Sequence, residues 1–269
     1  MTIFTNLAVL CSGIAFVFFL FFAFQENKKV FAAGTMLVLA SFICLTVPIA
    51  GMLHEHKLAF FSQPGSRYFL FAWILIIVYF IAVYKYRVRL LGILVMPLAS
   101  ILLLIAIREK NISVVASTSD WLLFIHVGLV LISFGILCIA FAGSILYLVK
   151  QKALKKHEES AISGRLPALT TLQRIMQNSF YSGFPLLTVG AVLGILVAED
   201  WQSIKILFGL IIWFVYAILF TLAKGGQLKK KQLAISVLLL FILFNSYFLV
   251  TSPKVDQSVE QIKTEGAEG

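Results

Sequence analysis

The sequence predicts an all-α fold, a polytopic integral membrane helical bundle of about eight transmembrane helices. Hydrophobic residues make up 61% of the 269 and charged residues only 13%, against about 45–50% and about 25% in an ordinary soluble chain. Mean hydropathy is +0.99. The apolar residues gather into eight runs of the length that spans roughly 30 Å of hydrocarbon. A soluble domain of this size would need a polar skin that this chain lacks. The formal net charge of +10 does not mark a nucleic-acid binder, because the charges sit in short runs between apolar stretches rather than in a basic patch with interleaved stacking aromatics.

The first run, about 3–24, lacks a basic segment before it and an A-x-A-like cleavage site after it, so it is expected to be a retained helix. Its Phe18-Phe19 and Phe21-Phe22 pairs read as lipid-facing bulk. The second, about 31–52, follows Lys28-Lys29 and contains Pro48. The third, about 68–84, is the shortest and ends on Lys85-Tyr86-Arg87-Val88-Arg89, which predicts a tight turn into the fourth, about 88–107, with Pro97 inside it. The fifth, about 121–149, exceeds the bilayer and is expected to tilt or to project beyond it. The sixth, about 180–198, carries Pro185 and sets Gly183, Gly190 and Gly194 on one face, while Gly128 and Gly135 lie a heptad apart in the fifth. Such small-residue faces let helices approach closely and put both segments inside the bundle. The seventh spans about 203–223. The eighth, about 233–251, follows Lys229-Lys230-Lys231, and the polar residues 253–269 read as a disordered tail beyond a transmembrane domain of 1–252. No internal repeat is legible.

Fifteen lysines and arginines fall in the odd-numbered connections, five in the even-numbered ones and two in the tail. The odd connections are therefore expected in the cytoplasm and both termini outside. Only the fifth connection, about 150–179, is long enough for structure of its own. Its first half extends the helix before it. Its second half places Leu166, Leu169, Leu172 and Ile175 three apart, with Pro167 where a helix would start, which predicts an amphipathic helix lying on the inner membrane surface.

Ionisable groups within a bilayer are costly, and each is a functional candidate. His126 stands out, six residues after Asp120 and so about 9 Å along a helix. Among Phe124, Ile125 and Val127 its imidazole is read as neutral, because lost solvation disfavours imidazolium. Two readings stay open: a hydrogen bond between helices, or an axial ligand for haem iron. His54 and His56 form an H-x-H pair beyond the second helix and read first as interfacial loop. His157 lies in a solvated charge run. Cys11, Cys44 and Cys138 lie in apolar segments without a C-x-x-C and read as small buried hydrophobes. Trp121 and Trp201 fall where interfacial indoles anchor a helix; Trp73 and Trp213 lie deeper. No nucleophile–base–acid set, catalytically spaced carboxylate pair or phosphate-binding glycine loop is present, so the chain is not expected to be an enzyme.

From Asp120 onward the sequence resembles the cytochrome c assembly protein superfamily of the CcsA type. DWLLFIHVGLVLISFGILCIAFAGSILYLVKQKALKK resembles that family's histidine-led helix. LPALTTLQRIMQNSFYSGFPLLTVGAVLGILVAEDW resembles its leucine-proline segment and glycine-rich helix, and IIWFVYAILF the helix after the haem-handling loop. The resemblance covers 120–251 and implies a protein of the cell inner membrane that handles haem on the outer side for cytochrome c, in company with other assembly or haem-biosynthesis proteins. His126 falls on the family's first external haem-ligand position. The family's tryptophan-rich WWDPKE-like loop is reduced here to EDWQSIK, leaving Asp200 and Trp201 as its remnant and as further candidate cofactor contacts. A second histidine position holds Thr221, and TSPKVDQSVEQ lacks a third. These departures point to the YpjD and HemX-like branch, whose HemX-like members are associated with control of haem biosynthesis through glutamyl-tRNA reductase. Cytochrome complex assembly and regulation through a cytoplasmic partner are thus both implied. A transporter would show broken helices around a polar midplane site, which the sequence does not offer.

Overall fold

The computed structural model describes residues 2–25, 27–56, 64–109, 121–156, 164–197 and 204–250. Among them are eight long helices and no strand: α1 (Thr2–Gln25), α2 (Lys28–His56), α3 (Pro64–Tyr86), α4 (Gly92–Glu109), α5 (Trp121–Lys156), α6 (Leu169–Val197), α7 (Ile204–Lys224) and α8 (Lys230–Val250), with one 3-10 turn, Arg89–Leu91, leading into α4. Seven of them, α1 to α7, are long and apolar enough to cross a membrane, and the 21 residues of α8 span about 31 Å at 1.5 Å per residue. Helices satisfy their own backbone hydrogen bonds, as a segment surrounded by lipid must. Large apolar side chains such as Leu10, Phe21, Phe214 and Leu239 stay exposed on the bundle. The chain is a multi-pass membrane protein in contact with the bilayer.

Two antiparallel seams dominate the packing, the larger between α5 and α6 and the next between α1 and α2. Glycine sets the distance in both. A Cβ at Gly143 of α5 would lie 3.3 Å from the backbone N of Met176 on α6, and one at Gly34 of α2 would lie 3.0 Å from the Phe19 ring of α1. Close backbones let serines reach across: Ser133 donates to Gly183 O at 2.8 Å and Ser41 to Ala8 O at 2.9 Å. The two halves meet chiefly where α3 packs on α5.

The lysine-rich end of the bundle is tied by short devices. The α3–α4 turn uses Arg87 at φ 54°, and Arg89 stacks its guanidinium over Phe31, 5.2 Å from the ring centroid. Arg165, just before α6, donates to the Phe22, Ala23 and Phe24 carbonyls of α1. A guanidinium there both satisfies orphan carbonyls and meets the negative end of the helix dipole.

Three sequence expectations are corrected. The segment after Pro167 is not a helix lying on the membrane surface: α6 begins at Leu169 and runs unbroken to Val197. Its apolar face, with Leu172 and Ile175 fully buried, and Leu166 just before it, 5% exposed, are covered by protein, because the 36 residues of α5 continue far enough to pair with them. Nor are the phenylalanines of α1 uniformly lipid-facing. Phe19 and Phe22 are buried among α2, α3 and α4, while Phe21 faces outward. The shortest long helix is α4, at 18 residues, because α3 starts at Pro64. Gly135 packs on α3 as expected of a small-residue face, but Gly128 meets nothing within 4 Å. The tail from 253 onward lies outside the described residues.

Gly143→Leu is expected to wedge α5 from α6 and cost about 1–3 kcal/mol, read as a lower thermal midpoint in detergent. Gly128→Leu, with open space at its Cβ, is expected to leave the midpoint in place.

Candidate functional site

His126 lies five residues into α5, and its geometry is set by α6. Its Nδ1 stands 2.7 Å from Gly190 O. A carbonyl oxygen can only accept, so Nδ1 carries the proton, and in the neutral ring the lone pair falls on Nε2. The interhelical hydrogen bond and the ligand reading are therefore compatible, because they use different nitrogens. Gly194, one turn further along α6, forms the seat of the ring: a Cβ there would come within 2.5 Å of His126 Cε1 and 2.9 Å of Nδ1. Any larger residue would have to displace the imidazole.

The half-buried ring borders a cavity of about 320 Å³ between α5, α6, α7 and α8, lined by Leu187, Gly194, Trp213 and Phe244 among others. Its walls are overwhelmingly apolar. The Trp213 indole N–H donates to Thr188 Oγ1 at 3.1 Å, Thr188 donates to Phe184 O at 3.0 Å, and Trp213 stacks on the Phe184 ring at 6.2 Å and 29°. The indole is thus fixed at two points and presents a rigid wall. Hydropathy marks Trp213 only as a tryptophan inside a span, and its place at the site comes from the tertiary contacts.

Among the described residues no group of three or more histidines, cysteines, aspartates or glutamates gathers to hold a metal ion. One imidazole at the edge of an apolar cavity suits a different guest, a flat macrocycle that brings its own equatorial nitrogens and needs a single axial donor. Haem is such a group, and this donor set fits it. His54 is exposed near the far end of α2, which packs on α1 and α3, and it does not line the cavity. The His56 side chain, His157, Asp200 and Trp201 lie outside the described residues. Thr221, at the position where the resemblance sought a histidine, donates to Ile218 O at 2.9 Å and faces outward. Trp121, 65% exposed at the start of α5, stands where an interfacial anchor would. The cysteines are free, Cys138 buried and Cys11 and Cys44 half-buried.

Comparison with known proteins agrees with this frame. Cytochrome c biogenesis protein CcsA of Guillardia theta is 29% identical over 222 residues, covering 72% of this chain and 73% of that protein. Protein HemX of Brevibacillus brevis is 31% identical over 132 residues, 48% of each. The sequence model of the cytochrome C assembly protein family matches residues 65–254, which takes the likeness upstream of Asp120 to include α3 and α4. With most of its 269 residues inside that match and the histidine-bearing helix at its centre, the chain belongs to the cytochrome c assembly protein family.

Proposed function

We propose that this protein takes part in cytochrome complex assembly by handling haem at the outer end of the bundle, where His126 would hold it. The observation that carries this reading is the commitment of Nδ1 to Gly190 O, which leaves Nε2 as the free donor beside an apolar cavity. Haem, when bound, supplies the iron and the macrocycle destined for attachment to a cytochrome c. The residues of this chain bind and orient it. Gly190 and Gly194 hold the imidazole in one tautomer and one place, Trp213 offers an aromatic wall, and Leu187 and Phe244 keep water away. The role is one of holding and passing on, without covalent catalysis by this chain. The placement is in the cell inner membrane with both termini outside, supported by the fifteen basic residues of the odd connections against five in the even ones.

A second reading is favoured by the likeness to Protein HemX. In that reading the chain regulates haem biosynthesis through a cytoplasmic partner, docked where α5 and α6 extend beyond the bilayer.

Purified protein is expected to carry less than one haem per chain, because His126 is the one imidazole among the described residues that borders the cavity. His126→Ala is expected to abolish the spectrum. Gly194→Ala is expected to lower haem affinity about tenfold, equivalent to about 1.4 kcal/mol, by moving the ring, whereas Gly209→Ala, which lines the same cavity with nothing within 4 Å of its Cβ, keeps it. A wild-type protein that neither carries nor takes up haem would sink the ligand role.

Reporter fusions after Lys156 and after Pro253 are expected to report opposite compartments, the first cytoplasmic. Agreement between them would overturn the orientation or the number of spans.

Deletion of the gene separates the two readings. Assembly predicts c-type cytochromes with reduced haem occupancy and unchanged glutamyl-tRNA reductase. Regulation predicts altered reductase abundance with normal occupancy.

A further inference from the structure

The two halves of the chain are built on one plan that the sequence does not display. Ser41 of α2 bonds Ala8 O of α1, and Ser133 of α5 bonds Gly183 O of α6. A Cβ at Gly34 of α2 would lie 3.3 Å from Phe18 Cβ of α1, and one at Gly143 of α5 would lie 3.3 Å from Met176 N of α6. Both contacts transfer under the same shifts, 125 from α1 to α5 (8 to 133, 18 to 143) and 142 from α2 to α6 (41 to 183, 34 to 176). The serine and the glycine change helices while their positions stay.

A third contact agrees independently. Trp73 of α3 stacks on Phe42 and donates to Thr46, whose hydroxyl bonds Phe42 O; Trp213 of α7 does the same with Phe184 and Thr188. The α2-to-α6 shift is again 142 (42 to 184, 46 to 188), and α3 maps onto α7 with a shift of 140 (73 to 213). Helix neighbours match as well: α1 packs on α2 and α4 as α5 packs on α6 and α8. Residues α1–α4 and α5–α8 form two copies of one four-helix unit.

The joint between the units uses α3 and α5. Phe71 meets Phe134 edge-on at 4.8 Å, and a Cβ at Gly135 would lie 3.6 Å from Ile74 Cγ2 and 3.8 Å from Val78 Cβ. The equivalents of Phe71, Ile74 and Val78 on α7 are Ile211, Phe214 and Ile218, which are 51%, 60% and 45% exposed. The equivalent of α5 is α1, where Leu10 stands for Gly135 and is 59% exposed, and a Cβ at neighbouring Gly13 would meet nothing within 4 Å. Ile139 and Ala142 are buried on α5, yet their equivalents Ile14 and Val17 are 45% and 43% exposed. Half of the α3 span is buried but only 17% of that of α7.

We propose that the Ile211–Phe214–Ile218 face of α7 docks α1 of a second copy of this chain, repeating between copies the joint that α3 and α5 make within one. The occupant is identified by the repeat: the face that receives α5 in the first unit has its counterpart on α7, and the counterpart of α5 is α1. The association is head-to-tail, each copy offering α7 to one neighbour and α1 to the other, so it closes as a ring when the rotation permits. Van der Waals packing of matched faces drives it, as for helices in lipid generally. Trp213 lies on the flank of α7 that lines the His126 cavity, so the second copy would cover the far side of that cavity's wall. The proposal stands on packing alone and is independent of haem binding.

The Gly135–Val78 separation is that of a disulfide, which makes its counterpart testable. In full-length protein with Cys11, Cys44 and Cys138 replaced by alanine, a Leu10→Cys chain and an Ile218→Cys chain carrying different tags are co-expressed, and the membranes are oxidised with copper phenanthroline. A covalent dimer holding both tags is expected. Gly135→Cys with Val78→Cys in one chain is the positive control for the geometry. Leu10→Cys paired with Leu239→Cys, which is 63% exposed on α8, is expected to give no dimer. Absence of the Leu10–Ile218 dimer while the control closes, equal yields from both pairings, or cross-linking of either cysteine to a different protein each overturns the proposal.

Discussion

The seam between α5 and α6 is held at the distance that glycine allows, and both halves of the site follow from that distance. Between helices in lipid there is no hydrophobic force to draw them together, because acyl chains are as apolar as leucine. What remains is van der Waals contact and hydrogen bonding, and both reward backbone proximity. Gly143, Gly183, Gly190 and Gly194 place the facing backbones or side chains so near that a Cβ at any of them would meet an atom within 3.1 Å. At that range a serine hydroxyl and an imidazole reach carbonyls on the neighbouring helix. Each such bond is worth about 0.6 kcal/mol on average within a membrane, so their value lies less in stability than in register. The bond from Ser133 to Gly183 and that from His126 to Gly190 lie seven residues apart on both helices, and together they fix rotation and offset of one helix against the other.

The same seam explains how α7 is held. An aromatic series on α6, Phe180, Tyr181 and Phe184, packs against Trp213, Tyr216 and Phe220 of α7 with ring centroids 5.1–6.3 Å apart. Aromatic pairs add about 0.5–1.5 kcal/mol each beyond burial, which concentrates the cohesion of α7 in its second half. Its earlier part, with Ile206, Gly209 and Leu210, borders the cavity, and Trp213 belongs to both. At the lysine-rich end, Arg165 on the carbonyls of α1 and Arg89 over Phe31 tie the ends of helices from different parts of the chain, using cations that hydropathy had marked only as loop charge.

Helix number and approximate limits were legible because hydropathy over about 20 residues reports the medium directly. What covers an apolar face was not. Leu166, Leu172 and Ile175 make a stripe that fits a membrane surface or a partner helix equally well, and only the length of α5 decides for the helix. Phe18 to Phe22 likewise give no sign of which rings turn inward, since every side of a span may be apolar. His126 stood out because ionisable groups are scarce in this chain. Its anchor did not, because Gly190 contributes a carbonyl that every residue possesses. The repeat was hidden for a related reason: Ser41 and Ser133 make the same contact from opposite helices, as Gly34 and Gly143 do, so position is kept while identity is exchanged across the seam.

That exchange bears on how the two halves differ around the candidate site. The shift from α2 to α6 sets Pro48 and Met52 at the positions of Gly190 and Gly194. Gly190 and Gly194 leave room for an imidazole beside the α6 backbone, whereas the sequence carries a proline and a methionine at their counterparts. Leu45, at the position of cavity-lining Leu187, is fully buried. One four-helix plan thus yields a unit with a proline and a methionine on its second helix and a unit whose two glycines seat the imidazole of the candidate site. The placement of the imidazole depends on the absence of two side chains as much as on the histidine itself.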